Sequence, residues 1–144
     1  MKRTFAALIA LSFAAPAFAD GHGGPGDAVE GEKTFNKCKS CHMIVSDAGD
    51  EIVKGGRTGP NLYGIIGRQA GIADFRYGDD LVAAGEAGLV WDAANLAEYV
   101  ADPRAFLRAY LDDSKAKSKM AYKLRKGGED VAAYLASVAP PAES

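Results

Sequence analysis

A chain of 144 residues with 17 basic and 19 acidic side chains carries a net charge of −2, which gives no basis for nucleic-acid binding. Its 48% hydrophobic content is that of a globular protein, and the length suits one domain. The two cysteines and two histidines are too few and too scattered for a four-ligand structural zinc site, since His22 lies in a glycine-rich stretch away from the other three.

Residues 1–19 have the form of a secretory signal: Lys2 and Arg3, then an apolar run from Phe5 to Ala15, then Ala17-Phe18-Ala19 as an A-x-A cleavage site. The run is too short for a permanent membrane span, so export to a bacterial periplasm is expected, with a mature chain starting near Asp20. Residues 20–26, DGHGGPG, read as a flexible lead-in, and His22 as a solvated residue within it.

Asp27 offers an N-cap, with Glu30 three positions on as a variant capping box, for a helix running to about Lys37. Gly31 and Phe35 share one face of it. A glycine inside a helix costs about 1 kcal/mol relative to alanine, so its use is close approach to another helix.

Cys38-Lys39-Ser40-Cys41-His42 follows, a C-x-x-C-H motif that reads as a covalent c-type haem attachment site. Two thiols must add to the two vinyl groups of one porphyrin, so they must point the same way. On a helical turn Cys38 and Cys41 do so at i and i+3, and His42 can approach the iron from the same side. A thioredoxin-like pair would need a strand–helix setting that is not evident, and a disulfide closing so short a loop would stabilise little.

From Met43 to Gly71 no long period appears, and glycines 55, 56, 59, 64, 67 and 71 punctuate the stretch. It reads as a long functional loop with one short helix around Asn61–Ile66. A short helix over Asp79–Ala84 follows Phe75 and Tyr77. Trp91 and Asp92 start a further helix with Leu96, Tyr99 and Val100 on one face. Asp102-Pro103 ends it and begins the next, which carries Phe106, Leu107, Tyr110 and Leu111. The last helix begins near Gly128, and its Val131, Tyr134, Leu135 and Val138 stand at i, i+3, i+4 and i+7. Pro140-Pro141 closes it, leaving a tail over 140–144. Four or five helices, with little or no strand, make residues 27–139 one all-α domain.

The sixth position of a haem iron decides what the haem does. Met1 leaves with the signal and Met43 directly follows His42, which leaves Met120, although a lone methionine can also be core filling. Residues 115–126 around it hold Lys115, Lys117, Lys119, Lys123, Arg125 and Lys126 and no acid, while Lys37 and Lys39 bracket Cys38. Most charge runs are solvated faces; a run tied in sequence to the ligand reads as a basic docking rim for acidic redox partners.

The blocks GDAVEGEKTFNKCKSCH (26–42), RTGPNLYGIIGRQAG (57–71), FRYGDD (75–80), VWDAANLAEYVADPRAFL (90–107), KAKSKMAYKL (115–124) and EDVAAYLASV (129–138) together resemble the class I c-type cytochromes, specifically the bacterial cytochrome c2 and c550 group. The resemblance implies the class I cytochrome c fold around one haem c. It implies thioether bonds at Cys38 and Cys41, His42 as proximal ligand and Met120 as distal ligand. It implies that the Pro60 carbonyl meets the His42 ring, that Arg68, Tyr77 and Trp91 hold a buried propionate, and that Tyr99 hydrogen-bonds near the methionine sulfur. Gly31, Phe35 and Tyr134 match the contact of the first and last helices. The segment between Tyr77 and Trp91 and the loop from Met43 to Lys54 are longer than in mitochondrial relatives, and LVAAGEAGLV (81–90) has no clear match for an asparagine that contacts buried water there. The expected function is a soluble, monomeric periplasmic one-electron carrier, not an enzyme. It would run from a cytochrome bc complex to a photosynthetic reaction centre, a terminal oxidase or both, docking through Lys37, Lys39, Lys115, Lys117, Lys119 and Lys123. The competing readings are a peroxidase or gas-binding protein with an open iron, and a domain of a larger redox complex.

Overall fold

The structure, a computed structural model, describes residues 26–139. The signal, the lead-in before Gly26 and the prolines at 140 and 141 lie outside the described residues.

The first helix, α1 (Ala28–Phe35), starts where the cap predicts: the Asp27 carboxylate accepts from the N–H groups of Val29 and Glu30. The reciprocal half of the capping box is not made. Glu30 instead takes the Lys33 ammonium at 2.6 Å, and the Asp27 N–H donates at 2.8 Å to Asp130, near the other end of the chain. After Phe35 the helix tightens into turns, with Lys37 N–H on Thr34 O and Cys38 N–H on Phe35 O.

Two short strands follow, β1 (Ile44–Val45) and β2 (Glu51–Val53), paired antiparallel with an irregularity between Ile44 and Val45. The short helix expected at Asn61–Ile66 is absent; the segment is a series of turns. The Asn61 amide bridges both backbone groups of Val45 and also takes the Tyr63 N–H, and Gly64 at φ 65° breaks any helical run.

α2 (Asp79–Glu86) runs two residues past the expected end, and α3 (Ala93–Ala101) starts from a full capping box between Asp92 and Asn95. Asp102 then ends α3 and caps α4 (Pro103–Tyr110) by accepting from Ala105 N–H. A long irregular segment leads to α5 (Gly128–Val138).

α1 packs on α5, α3 packs on both α4 and α5, and α2 touches α4. Phe35 and Tyr134 meet with ring centroids 5.7 Å apart, and Trp91, Tyr99 and Phe106 form a second aromatic group. Among the described residues no helix is long and apolar enough to cross a membrane.

Gly31 shows why α1 and α5 can lie so close. A Cβ there would stand 1.9 Å from the Asp130 carbonyl oxygen and 2.8 Å from Tyr134 Cβ. Helix propensity favours Gly31→Ala by about 1 kcal/mol, yet overpacking at a rigid backbone contact costs about 1–3 kcal/mol. The clash is expected to win, and Gly31→Ala to lower the guanidinium midpoint of the holoprotein; a raised midpoint would show that the two helices can part freely.

Candidate haem site

A cavity of about 450 Å³ opens between the helices and the two long irregular segments. Phe35, Leu96, Val131 and Leu135 line it from α1, α3 and α5, so it is walled by the same residues that join the helices. The sequence elements expected to meet at one site do meet there: Cys38, Cys41, His42, Pro60 and Met120 all line this cavity, as do Arg68, Tyr77, Trp91 and Tyr99.

The motif is held as a turn continuing α1. Cys41 N–H and His42 N–H both donate to the Cys38 carbonyl, at 3.1 and 2.9 Å. The two sulfurs are not joined. They differ in surroundings: burial pushes the Cys38 thiol up, with the neighbouring Cys41 adding to it, whereas hydrogen bonds from Thr58 and Ser40 pull the exposed Cys41 down.

His42 is buried, and its Nδ1 lies 2.9 Å from the Pro60 carbonyl oxygen. A carbonyl only accepts, so Nδ1 carries the proton and Nε2 keeps its lone pair. Burial drives the ring's pKa down, opposed by the bond to Pro60, so the neutral form is favoured. Nε2 has no hydrogen-bond partner among the described residues. Gly59 seats the ring: a Cβ there would come within 2.4 Å of His42 Cε1. In the sequence Gly59 stood only as one of several glycines punctuating the loop, with no role at the ring assigned to it.

The Arg68 guanidinium donates to the carbonyls of Tyr63 and Asn61, at 3.1 and 3.2 Å. Trp91 is buried. Burial raises the pKa of Tyr77, with Arg68 opposing, and raises that of Tyr99, with Ser118 opposing. The Tyr99 hydroxyl lies 3.4 Å from Ser118 Oγ, which accepts the Met120 N–H at 3.1 Å. Tyr99 is therefore linked to Met120 through Ser118, a residue that sequence reasoning passed over.

The six lysines are all exposed but not equally placed. Lys37, Lys117 and Lys119 line the cavity; Lys39, Lys115 and Lys123 do not. Lys123 is paired with Asp102 at 2.6 Å, at the α3–α4 junction. Among the described residues no group of three or more His, Cys, Asp or Glu side chains could hold a metal ion.

No protein-family model matches the chain. Individual proteins do. It is 78% identical over 139 residues to cytochrome c-551 of Roseobacter denitrificans, covering 96% of each chain. It is 59% identical to cytochrome c2 of Rhodobacter capsulatus, covering 94% of this chain and 95% of that one. The chain belongs to the cytochrome c2 and c-550 family. The fold agrees: the solved structure of cytochrome c2 from Rhodobacter capsulatus superposes with a TM-score of 0.77 at 61% identity, over 78% of this chain and 98% of that one. Ferric cytochrome c-550 from Paracoccus versutus gives 0.77 at 50% identity, over 80% and 99%.

The class I cytochrome c fold expected from the blocks of residues is thus present, and the chain is a c-type cytochrome, an electron carrier with one covalent haem c. The donor chemistry suits that group: two thiols one helical turn apart, an imidazole whose Nδ1 proton is taken up by the Pro60 carbonyl, and a thioether on the same cavity. Gly59→Ala is expected to push the His42 ring from its seat and to lower haem loading several-fold, read as the ratio of haem to protein absorbance. Full loading would show that the ring has room to move.

Proposed function

We propose that this cytochrome is a periplasmic one-electron shuttle whose haem is held by Cys38 and Cys41 and whose iron is bound by His42 and Met120. The observation that carries the reading is the His42–Pro60 bond: it leaves Nε2 as the ring's only free lone pair, on a cavity shared with both cysteines and the Met120 thioether.

Haem c supplies a one-electron iron couple when bound. The residues set its conditions. The Pro60 carbonyl fixes the His42 ring and strengthens it as a donor. A thioether ligand favours the reduced state and raises the potential. Arg68, Tyr77 and Trp91 line the cavity where buried propionate charge would be offset, Arg68 by its cationic charge. Phe35, Leu96 and Leu135 keep the pocket apolar, so little solvent need reorganise when the electron moves. With His42 and Met120 both serving as ligands, the iron would keep no site for substrate, which sets this reading apart from a peroxidase.

Lys37 and Lys117, exposed at the cavity, form the centre of a basic rim for acidic partners, with Lys39 and Lys115 further out. By family resemblance the donor is a cytochrome bc complex and the acceptor a photosynthetic reaction centre, a terminal oxidase or both. Encounter is brief and steered by charge.

Met120→Ala is expected to lower the reduction potential, to abolish the weak far-red absorption of the methionine–iron bond in the ferric protein, and to open the iron to added ligands. An unchanged potential and band would remove Met120 from the iron and bring the open-site reading forward. Replacing Lys37 and Lys117 together with Glu is expected to slow electron transfer to an acidic partner about tenfold at low ionic strength, with the difference shrinking as salt is added. Equal rates with equal salt dependence would place docking elsewhere.

A further inference from the structure

We propose that Asp80 is a positioning residue that keeps Met120 on the iron, an inference that rests on Met120 being the ligand. The segment carrying Met120 has no helix or strand between α4 and α5. Its ends are well tied. Arg108 Nε donates to the Ala116 carbonyl, and Leu124 N–H donates to Val100 at 2.7 Å. Between those points the main-chain N–H groups make one hydrogen bond to another element: Lys117 N–H to the Asp80 carboxylate, at 2.8 Å, spanning 37 positions of sequence. The Met120 N–H bonds only locally, to Ser118.

A second fastening runs the same way. The Lys119 ammonium donates to the carbonyls of Arg76 and Tyr77, at 3.0 and 2.9 Å. Segment 117–120 is thereby clasped to segment 76–80, with one contact from each side: a carboxylate of the second taking an N–H of the first, and an ammonium of the first capping carbonyls of the second. Tyr77 and Lys117 both line the haem cavity, so the clasp lies at its mouth. Displacing Met120 by another ligand requires moving a segment that Asp80 holds.

Asp79 provides the control. Both aspartates stand in the first turn of α2 and both favour its N-terminus electrostatically, but only Asp80 bonds to the Met120 segment. The experiment titrates the ferric holoprotein with imidazole and follows loss of the far-red methionine–iron band. Losing a hydrogen bond to a charged group, discounted for exposure, should raise the imidazole affinity of Asp80→Ala about tenfold. Asp80→Asn keeps an acceptor oxygen without the charge and should fall between wild type and Asp80→Ala. Asp79→Ala should match wild type. Wild-type affinity in Asp80→Ala, or an equal gain in Asp79→Ala, would overturn the clasp. If Asp80→Ala fails to load haem, Asp80→Asn decides: an intermediate gain in affinity supports the carboxylate clasp, and wild-type affinity overturns it. A wild-type protein lacking the far-red band would instead overturn Met120 as ligand, and the clasp with it.

Discussion

The backbone contact between α1 and α5 is the constraint on which the haem site depends. Gly31 lets the Asp130 carbonyl and Tyr134 lie where a side chain would otherwise stand. With the helices that close, Phe35 seats fully buried against Tyr134, and the next residues leave α1 as a tight turn. That turn is the haem-attachment motif. The other helix of the pair sends Val131 and Leu135 into the same cavity. One crossing therefore aims the covalent motif and forms an apolar wall for the group it binds. The Asp27–Asp130 hydrogen bond ties the same two elements at their N-terminal ends, across 103 positions of sequence.

From there the electrostatics of His42 follow. Burial alone would favour a neutral ring without choosing between its nitrogens. The Pro60 carbonyl makes that choice, and Gly59 leaves the space in which the ring can accept it. Burial thus sets the protonation state, while two neighbouring residues of one irregular loop set the tautomer and the seat of the ring. Both settings leave Nε2 with its lone pair, on a residue that lines the cavity.

What could be read from the sequence was the part governed by local rules. The N-cap at Asp27, the helix starts at Asp92 and at Asp102-Pro103, and the apolar period of α5 each depend on residues within one or two turns, and each is where it was expected. The motif and the glycine at position 31 also carried their own chemistry. The failures lie where a distant partner outweighed a local preference. Asn61 serves β1 rather than a helix of its own, because both backbone groups of Val45 are there to be bridged. Glu30 and Asp27 have the spacing of a capping box, but Lys33 and Asp130 offer each a charged partner instead. Ser118 and Asp80 had no signal at all, since their roles exist only once segment 117–120 is folded onto its neighbours.

The same reasoning divides the lysines, which composition alone presents as one patch. Lys123 is neutralised by Asp102, and Lys119 directs its ammonium into two carbonyls, so neither offers a partner the free charge that its type suggests. Asp80 adds a negative charge beside the segment while holding it. Among the exposed lysines that line the cavity, side-chain charge free of any partner then belongs to Lys37 and Lys117, which come from the motif segment and the methionine segment respectively and make no ion pair among the described residues. Since exposed charges further than about 10 Å apart are screened from one another at ordinary salt, a partner would sense these two local cations more than the chain's net negative charge. The proposed docking charges of Lys37 and Lys117 and the proposed clasp through Asp80 and Lys119 thus use different side chains, and a change to one need not disturb the other.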